Sequence, residues 1–186
     1  MNARVLVVYA STHGHTAKIA ERIGAGLREH DLSVRVRETG TPGAHLEPAE
    51  FDGVIVGASI HMGHHQPAVL DWITEHRAAL DAVPSAFFSV SLTAADDTDE
   101  ARASTRELID HMVAETGWTP ATTTAFAGAF QFREYNLPTR VLMHLIAKRH
   151  EDHVDVHQDI DYTDWAAVDR FAEDFAATTL RREPVG

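Results

Sequence analysis

Cysteine is absent from all 186 residues, which excludes disulfides, thiolate metal ligands, iron–sulfur clusters and cysteine nucleophiles. Any redox chemistry must then rest on a bound cofactor. Positive charge is scarce as well: 16 Lys and Arg stand against 28 Asp and Glu, a formal net charge of −12, which argues against a nucleic-acid partner held by phosphate neutralisation. Long hydrophobic runs are missing. No stretch approaches the roughly 20 apolar residues that cross a bilayer, and Met1–Arg4 pass straight into Val5–Tyr9 without the charged leader of a secretory signal. The expectation is a soluble cytoplasmic protein.

What is present suits one compact unit spanning 1–186, with 44% hydrophobic residues and enough length to bury a core. The acidic runs Asp96, Asp97, Asp99, Glu100 and Glu151, Asp152, Asp155, Asp159, Asp161 read as solvated surface. Apolar runs of strand length recur at Arg4–Tyr9, Ser33–Arg37, Gly53–Val56, Ser85–Val90 and Thr123–Phe130. Most lack alternation, as expected when helices cover both faces of a parallel sheet. Helical spacing separates them. Ile19, Ile23 and Leu27 share one face of Thr16–Glu29; Pro67–Leu80 opens with a first-turn proline; Leu108, Met112 and Val113 mark a third helix. Trp165, Val168, Phe171, Ala172 and Phe175 mark the last, with Thr163 or Asp164 as N-cap. The Pro- and Gly-bearing link Thr39–Glu50 leaves room only for a turn or two at Leu46–Glu50. This alternation predicts an α/β, doubly wound, five-stranded parallel sheet that binds its ligand beyond the carboxyl ends of the strands.

The first of those ends carries Ser11-Thr12-His13-Gly14-His15-Thr16, directly before an amphipathic helix. Helix-start amides without intrahelical partners attract anions, short hydroxyl side chains add donors, and Gly14 allows a tight turn around phosphate oxygens. The plain alternative is an ordinary helix cap at Thr16. Neither GxGxxG nor a Walker loop follows the strand, so a mononucleotide is favoured over a dinucleotide. The loop resembles that of the flavodoxin family, whose strand order 2-1-3-4-5 fits the element order here. By that resemblance the phosphate belongs to FMN.

The resemblance also implies that the loops after the third and fourth strands flank the flavin ring: Ala58, Ser59, Ile60, His61, Met62 and Gly63 on one side, Ser89, Val90, Ser91, Leu92 and Thr93 on the other. Flavodoxins place aromatic side chains there. The ring neighbours here are His61, Met62, Leu92 and Thr93, which predicts a less enclosed ring.

Gly57-Ala58-Ser59-Ile60-His61-Met62-Gly63-His64, Pro84 to Leu92, Ala127-Gly128-Ala129-Phe130 and Asp161-Tyr162-Thr163-Asp164-Trp165 together resemble the quinone-dependent protoporphyrinogen IX dehydrogenases. Those are flavodoxin-fold enzymes that oxidise protoporphyrinogen IX to protoporphyrin IX and pass electrons to a membrane quinone such as menaquinone. The family carries an insertion between the last strand and last helix. Here Gln131–Asp161 fills that place and exceeds an ordinary connection. Its middle, Pro138–Arg149, reads as a short helix, with Arg133, Arg140, Lys148 and Arg149 set among acidic surroundings. One reading is a packed surface helix; the other is a lid or membrane-touching element whose basic residues meet propionates or lipid phosphates.

The resemblance makes FMN the hydride acceptor and leaves proton transfer to the protein. His61 and His64, with His65 beside them, are candidate proton carriers. His150, His153 and His157 could align on a helix, yet no metal is expected. Two rivals stand beside the dehydrogenase: a flavodoxin-type electron carrier, docked through Asp96–Glu100, and an NAD(P)H-quinone reductase.

Overall fold

The computed structural model describes residues 2–41, 47–130 and 160–181. Five parallel strands form its sheet: β1 (Arg4–Ala10), β2 (Ser33–Glu38), β3 (Gly53–His61), β5 (Ser85–Ser91) and β6 (Thr122–Ala127), in the order β2-β1-β3-β5-β6. Counting the parallel strands alone, this is the expected 2-1-3-4-5. A two-residue strand, β4 (His64–His65), folds back antiparallel on β3. The helices are α1 (His15–Glu29), α2 (Pro67–Ala82), α3 (Asp99–Thr116) and α4 (Trp165–Leu180).

Strand pleat sorts the apolar runs into two cores. Val5, Val7, Ile55 and Phe88 face α1 and α4, where they meet Ile19, Ile23, Leu27, Val168 and Phe175. Leu6, Val8, Val56 and Phe87 face the other way, against Val69, Ile73, Ile109, Met112 and Trp118 of α2, α3 and the turn beyond. Each such side chain, fully buried, contributes about 1.5–3 kcal/mol before conformational entropy is charged against it. Gly57 marks where the packing is tightest. A methyl group there would lie 2.0–2.5 Å from ring atoms of Phe88, itself wedged between Phe126 and Phe171 at 5.9 and 6.4 Å.

Several expected boundaries move. The second crossover is a single turn of 3-10 helix, Pro48–Glu50, with Leu46 outside the described residues. The run Thr123–Phe130 divides at Gly128, whose N–H donates to the Ser91 carbonyl at 3.0 Å. β6 ends before it, and β7 (Ala129–Phe130) leaves the main sheet to pair with β8 (Ile160–Asp161). Of the expected insertion, residues 131–159 lie outside the described residues, and with them Arg133, Arg140, Lys148, Arg149, His150, His153, His157 and the helix read at Pro138–Arg149.

Helix ends follow their sequence signals. Thr98 caps α3 by accepting from the Ala101 N–H at 3.1 Å, Asp99 and Glu100 occupy the positive first turn, and Gly117 closes it in the left-handed conformation. Part of the acidic run is thus a helix start, and Arg102 pairs with Asp97 and Asp99 there. For α4 the cap is Asp164, accepting from Ala167 N–H at 3.0 Å. Thr163 has another task.

Candidate functional site

At the topological switch the chain passes from β1 through α1 to β2 on one side, then crosses to β3 on the other, so loops diverge above β1 and β3. Ser11–Gly14 sits at this divergence. The Ser11 hydroxyl accepts from the Gly14 N–H at 2.9 Å, and Gly14 turns the chain with φ 79° and ψ −8°, in the left-handed region. α1 begins at His15 without a side-chain cap, and its first intrahelical bond is Lys18 N–H to Gly14 carbonyl at 3.3 Å. The amides of His15, Thr16 and Ala17 therefore precede any intrahelical donor–acceptor pair and carry the positive end of the helix dipole. An ordinary cap at Thr16 is ruled out: Gly14 holds the cap position, and Thr16 lies inside the helix with 1% of its surface exposed.

Both flanks of this loop are tied. On the β3 side, Gln66 Nε2 donates to the Thr12 hydroxyl at 3.1 Å and to the Ser59 hydroxyl. Gln66 Oε1 is buried and has no hydrogen-bond partner among the described residues. On the other side, His15 reaches the segment that follows β8. His15 Nε2 and the Thr163 hydroxyl lie 2.7 Å apart, and that hydroxyl donates to the Ala127 carbonyl at 2.8 Å. With its proton committed to Ala127, Thr163 accepts from His15, which fixes the tautomer with the proton on Nε2. Burial lowers the His15 pKa against the opposing pull of Asp161, 3.6 Å away. Burial works against the charge of Asp161 too, yet the Thr163 N–H at 2.9 Å, His15 and the Trp165 indole N–H at 3.2 Å hold its carboxyl below the usual range. So His15, expected to contribute to phosphate binding, offers its backbone amide to that loop while its side chain anchors the loop to α4.

The loop after β3 is a hairpin. Met62 and Gly63 have φ 51° and 83°, the signature of a tight two-residue turn, and pair His61 with His64 and Ile60 with His65. Met62 stands at the tip, 87% exposed. His61 and His64 are exposed beside it, and the His61 ring meets His13 edge-on at 6.1 Å between centroids. Hairpin and phosphate loop are thus brought together. His65 differs from its neighbours: 5% exposed, it bonds the Ser89 hydroxyl at 3.0 Å, packs edge-on to Phe87, and burial pushes its pKa down to about 4. Buried and bonded to Ser89, His65 braces the hairpin base.

At the end of β5, Ser89, Val90 and Ser91 are buried, and the Ser91 hydroxyl accepts from the Ala94 N–H at 3.2 Å at the start of the short turn Thr93–Ala95. Leu92 is half-buried and Thr93 exposed. Ala58 is buried, whereas Ser59 and Ile60 are half-buried. The sequence left Gln66 without a role and offered Thr163 only as an alternative helix cap. Gln66 stands where Ser, Thr, Asp or Asn is the usual cap before a helical proline, and that departure was the available signal.

The arrangement fits a phosphate-bearing ligand: uncapped helix-start amides, a left-handed glycine and a hydroxyl-rich rim. Comparison with known proteins agrees in fold and family. Residues 6–157 match the family described as Flavodoxin domain. A protein of Leishmania major named protoporphyrinogen IX dehydrogenase [quinone] is 37% identical over 97% of this chain and 78% of its own length. The protein of that name from Escherichia coli K12 is 27% identical over 95% and 96%. Among solved structures, oxidised flavodoxin 1 of Bacillus cereus superposes with a TM-score of 0.56 at 14% identity, covering 94% of this chain and 98% of its own. A short-chain flavodoxin associated with a PDU bacterial microcompartment gives 0.59 at 16%, covering 95% and 99%. With a third of its residues shared along nearly its whole length and a parallel sheet of matching order, the chain belongs to the flavodoxin-domain family of the protoporphyrinogen IX dehydrogenases (quinone), which are flavin-dependent oxidoreductases.

Proposed function

We propose that the protein holds FMN with its phosphate on Ser11–Thr16 and uses it to oxidise protoporphyrinogen IX to protoporphyrin IX, with a membrane quinone as electron acceptor. The observation that carries the cofactor assignment is the uncapped start of α1 behind Gly14: three free amides suit a terminal phosphate, and no GxGxxG turn is present for a dinucleotide. Bound there, FMN supplies a reversible two-electron acceptor.

The chain's own residues do the rest. Thr12 and Thr16 would help to hold the phosphate, and the hairpin Ile60–Gly63 and the Leu92–Thr93 turn would border the flavin ring. His61 and His64 take up the protons that leave the substrate. Removing six hydrogens from the porphyrinogen requires three such rounds, and each delivers two electrons and two protons to one quinone. Arg133, Arg140, Lys148 and Arg149 are assigned, from sequence alone, to propionates or anionic lipid at the cytoplasmic face of the membrane. Added salt should weaken those contacts. No described helix is long and apolar enough to cross a membrane, in keeping with peripheral attachment.

The test is anaerobic incubation of the FMN-loaded protein with protoporphyrinogen IX and a menaquinone analogue, read by protoporphyrin fluorescence. Fluorescence that rises with quinone supply is expected. Absent porphyrin formation, together with rapid electron exchange with a redox protein or with NAD(P)H, would sink the dehydrogenase reading.

A further inference from the structure

Gln66 occupies the cap position of α2, yet its side chain makes no capping bond. Its carbonyl accepts from the Val69 and Leu70 N–H groups at 3.1 and 3.4 Å, so the helix start does not depend on the side chain. The side chain turns instead toward the phosphate loop, where one amide nitrogen spends both its hydrogens on two hydroxyls, Thr12 beyond β1 and Ser59 near the end of β3. Those strands lie side by side in the sheet. The amide is therefore a bridge across the switch point.

A hydroxyl has one proton and two acceptor sites. Once an N–H takes an acceptor site, the proton must point to another acceptor, and among the described residues neither Thr12 nor Ser59 donates one. The reverse orientation of the amide would let Oε1 collect both protons and satisfy that buried oxygen, which instead has no partner among the described residues. The hydroxyls would then show lone pairs to an incoming anion.

We propose that Gln66 is a positioning residue that sets the polarity of the Thr12 and Ser59 hydroxyls, so that they present protons to the phosphate-bearing end of FMN. The inference rests on the FMN reading given above. It requires no contact between Gln66 and the phosphate itself.

Glutamate at 66 is the informative change, because a carboxylate only accepts. It draws both hydroxyl protons inward and sets a negative charge near a dianion. FMN and riboflavin share the ring and differ in the phosphate, so the ratio of their affinities isolates this end of the site. Apoprotein titrations by flavin fluorescence quenching should give Gln66→Glu a loss of about a hundredfold in FMN affinity and Gln66→Ala a loss of about tenfold. Riboflavin affinity should stay within about threefold in both, as expected where no charged contact is lost. In a Thr12→Val background, Gln66→Ala should cost distinctly less than in the parent. Thermal melts of the apoproteins establish folding, and Gln66→Ala carries the test if Gln66→Glu does not fold. An unchanged FMN-to-riboflavin ratio in the variants overturns the inference, as does an equal loss for both flavins, the mark of a merely structural residue. Full additivity with Thr12→Val also overturns it. A parent protein that binds FMN no better than riboflavin overturns the phosphate site and this inference together.

Discussion

The phosphate loop and the β3–β4 hairpin stand side by side at one edge of the sheet and are built on opposite terms. Ser11–Thr16 is tied from within by Ser11, from the start of α2 by Gln66 and from the segment before α4 by the His15–Thr163 pair. The hairpin is hydrogen-bonded at its base, by His65 to Ser89, and its tip carries Met62, His61 and His64 exposed, with His61 edge-on to His13. Under the proposed function, the fixed half would hold a group that is the same in every turnover, and the open half would face partners that must arrive and leave. Rigid donors repay their ordering on a permanent ligand, whereas an enclosed ring would obstruct a bulky porphyrinogen or quinone.

The largest blow to this contrast falls on the floor that both halves share. Gly57→Ala drives a methyl group into the Phe88 ring on a strand hydrogen-bonded on both sides, and should cost about 3 kcal/mol or more in urea unfolding. Next comes acid. His65 is held neutral down to about pH 4, whereas the unfolded imidazole protonates near 6.5. The unfolded chain binds the extra proton, so the stability is fully present above about pH 6.5, drains between 6.5 and 4, and falls by up to about 3 kcal/mol. His65→Gln should flatten that part of the pH profile; an equal slope in both proteins would remove His65 as the hairpin's strut.

Thr163→Val tests the opposite flank. It leaves the Ala127 carbonyl without its donor and the His15 ring without its acceptor, both buried, for a loss of about 1–3 kcal/mol. FMN affinity should fall more than the melt alone explains, since the loop is anchored through His15. Met62→Ala should be the mildest, within about 0.5 kcal/mol in stability, with riboflavin and FMN weakened equally. A hairpin-tip variant that unfolds the protein would erase the distinction between the two halves.

How much of this was legible in sequence follows the range of the interactions. The five strands, the helix faces around Ile19, Ile23 and Leu27, and the phosphate loop all announce themselves within a dozen residues. β3 runs past its expected end because Gly57, Ala58 and Ser59 are poor strand formers on any scale, and sheet pairing with Phe88 and Ser89 overrides them. The hairpin turn hid for a related reason: Met62 adopts a left-handed conformation usually left to Asn, Asp or Gly. The sequence places His15 in the phosphate loop but does not show its side-chain partner, Thr163, which stands 148 positions along the chain. No periodicity reports such a bond. The split at Gly128 depends likewise on Ser91 of another strand.

The antiparallel pairing of Phe130 with Ile160 has a practical consequence for engineering. The residues that flank 131–159, Phe130 and Ile160, stand at facing positions of one ladder, a gap that a two-residue hairpin turn spans. Replacing 131–159 with Asn-Gly would close the ladder and lower the entropic cost of chain closure by about 2 kcal/mol, at about 0.6 kcal/mol per halving of loop length. The site is a natural exchange point, where segments from relatives could be grafted and compared on one unchanged flavin-binding chassis.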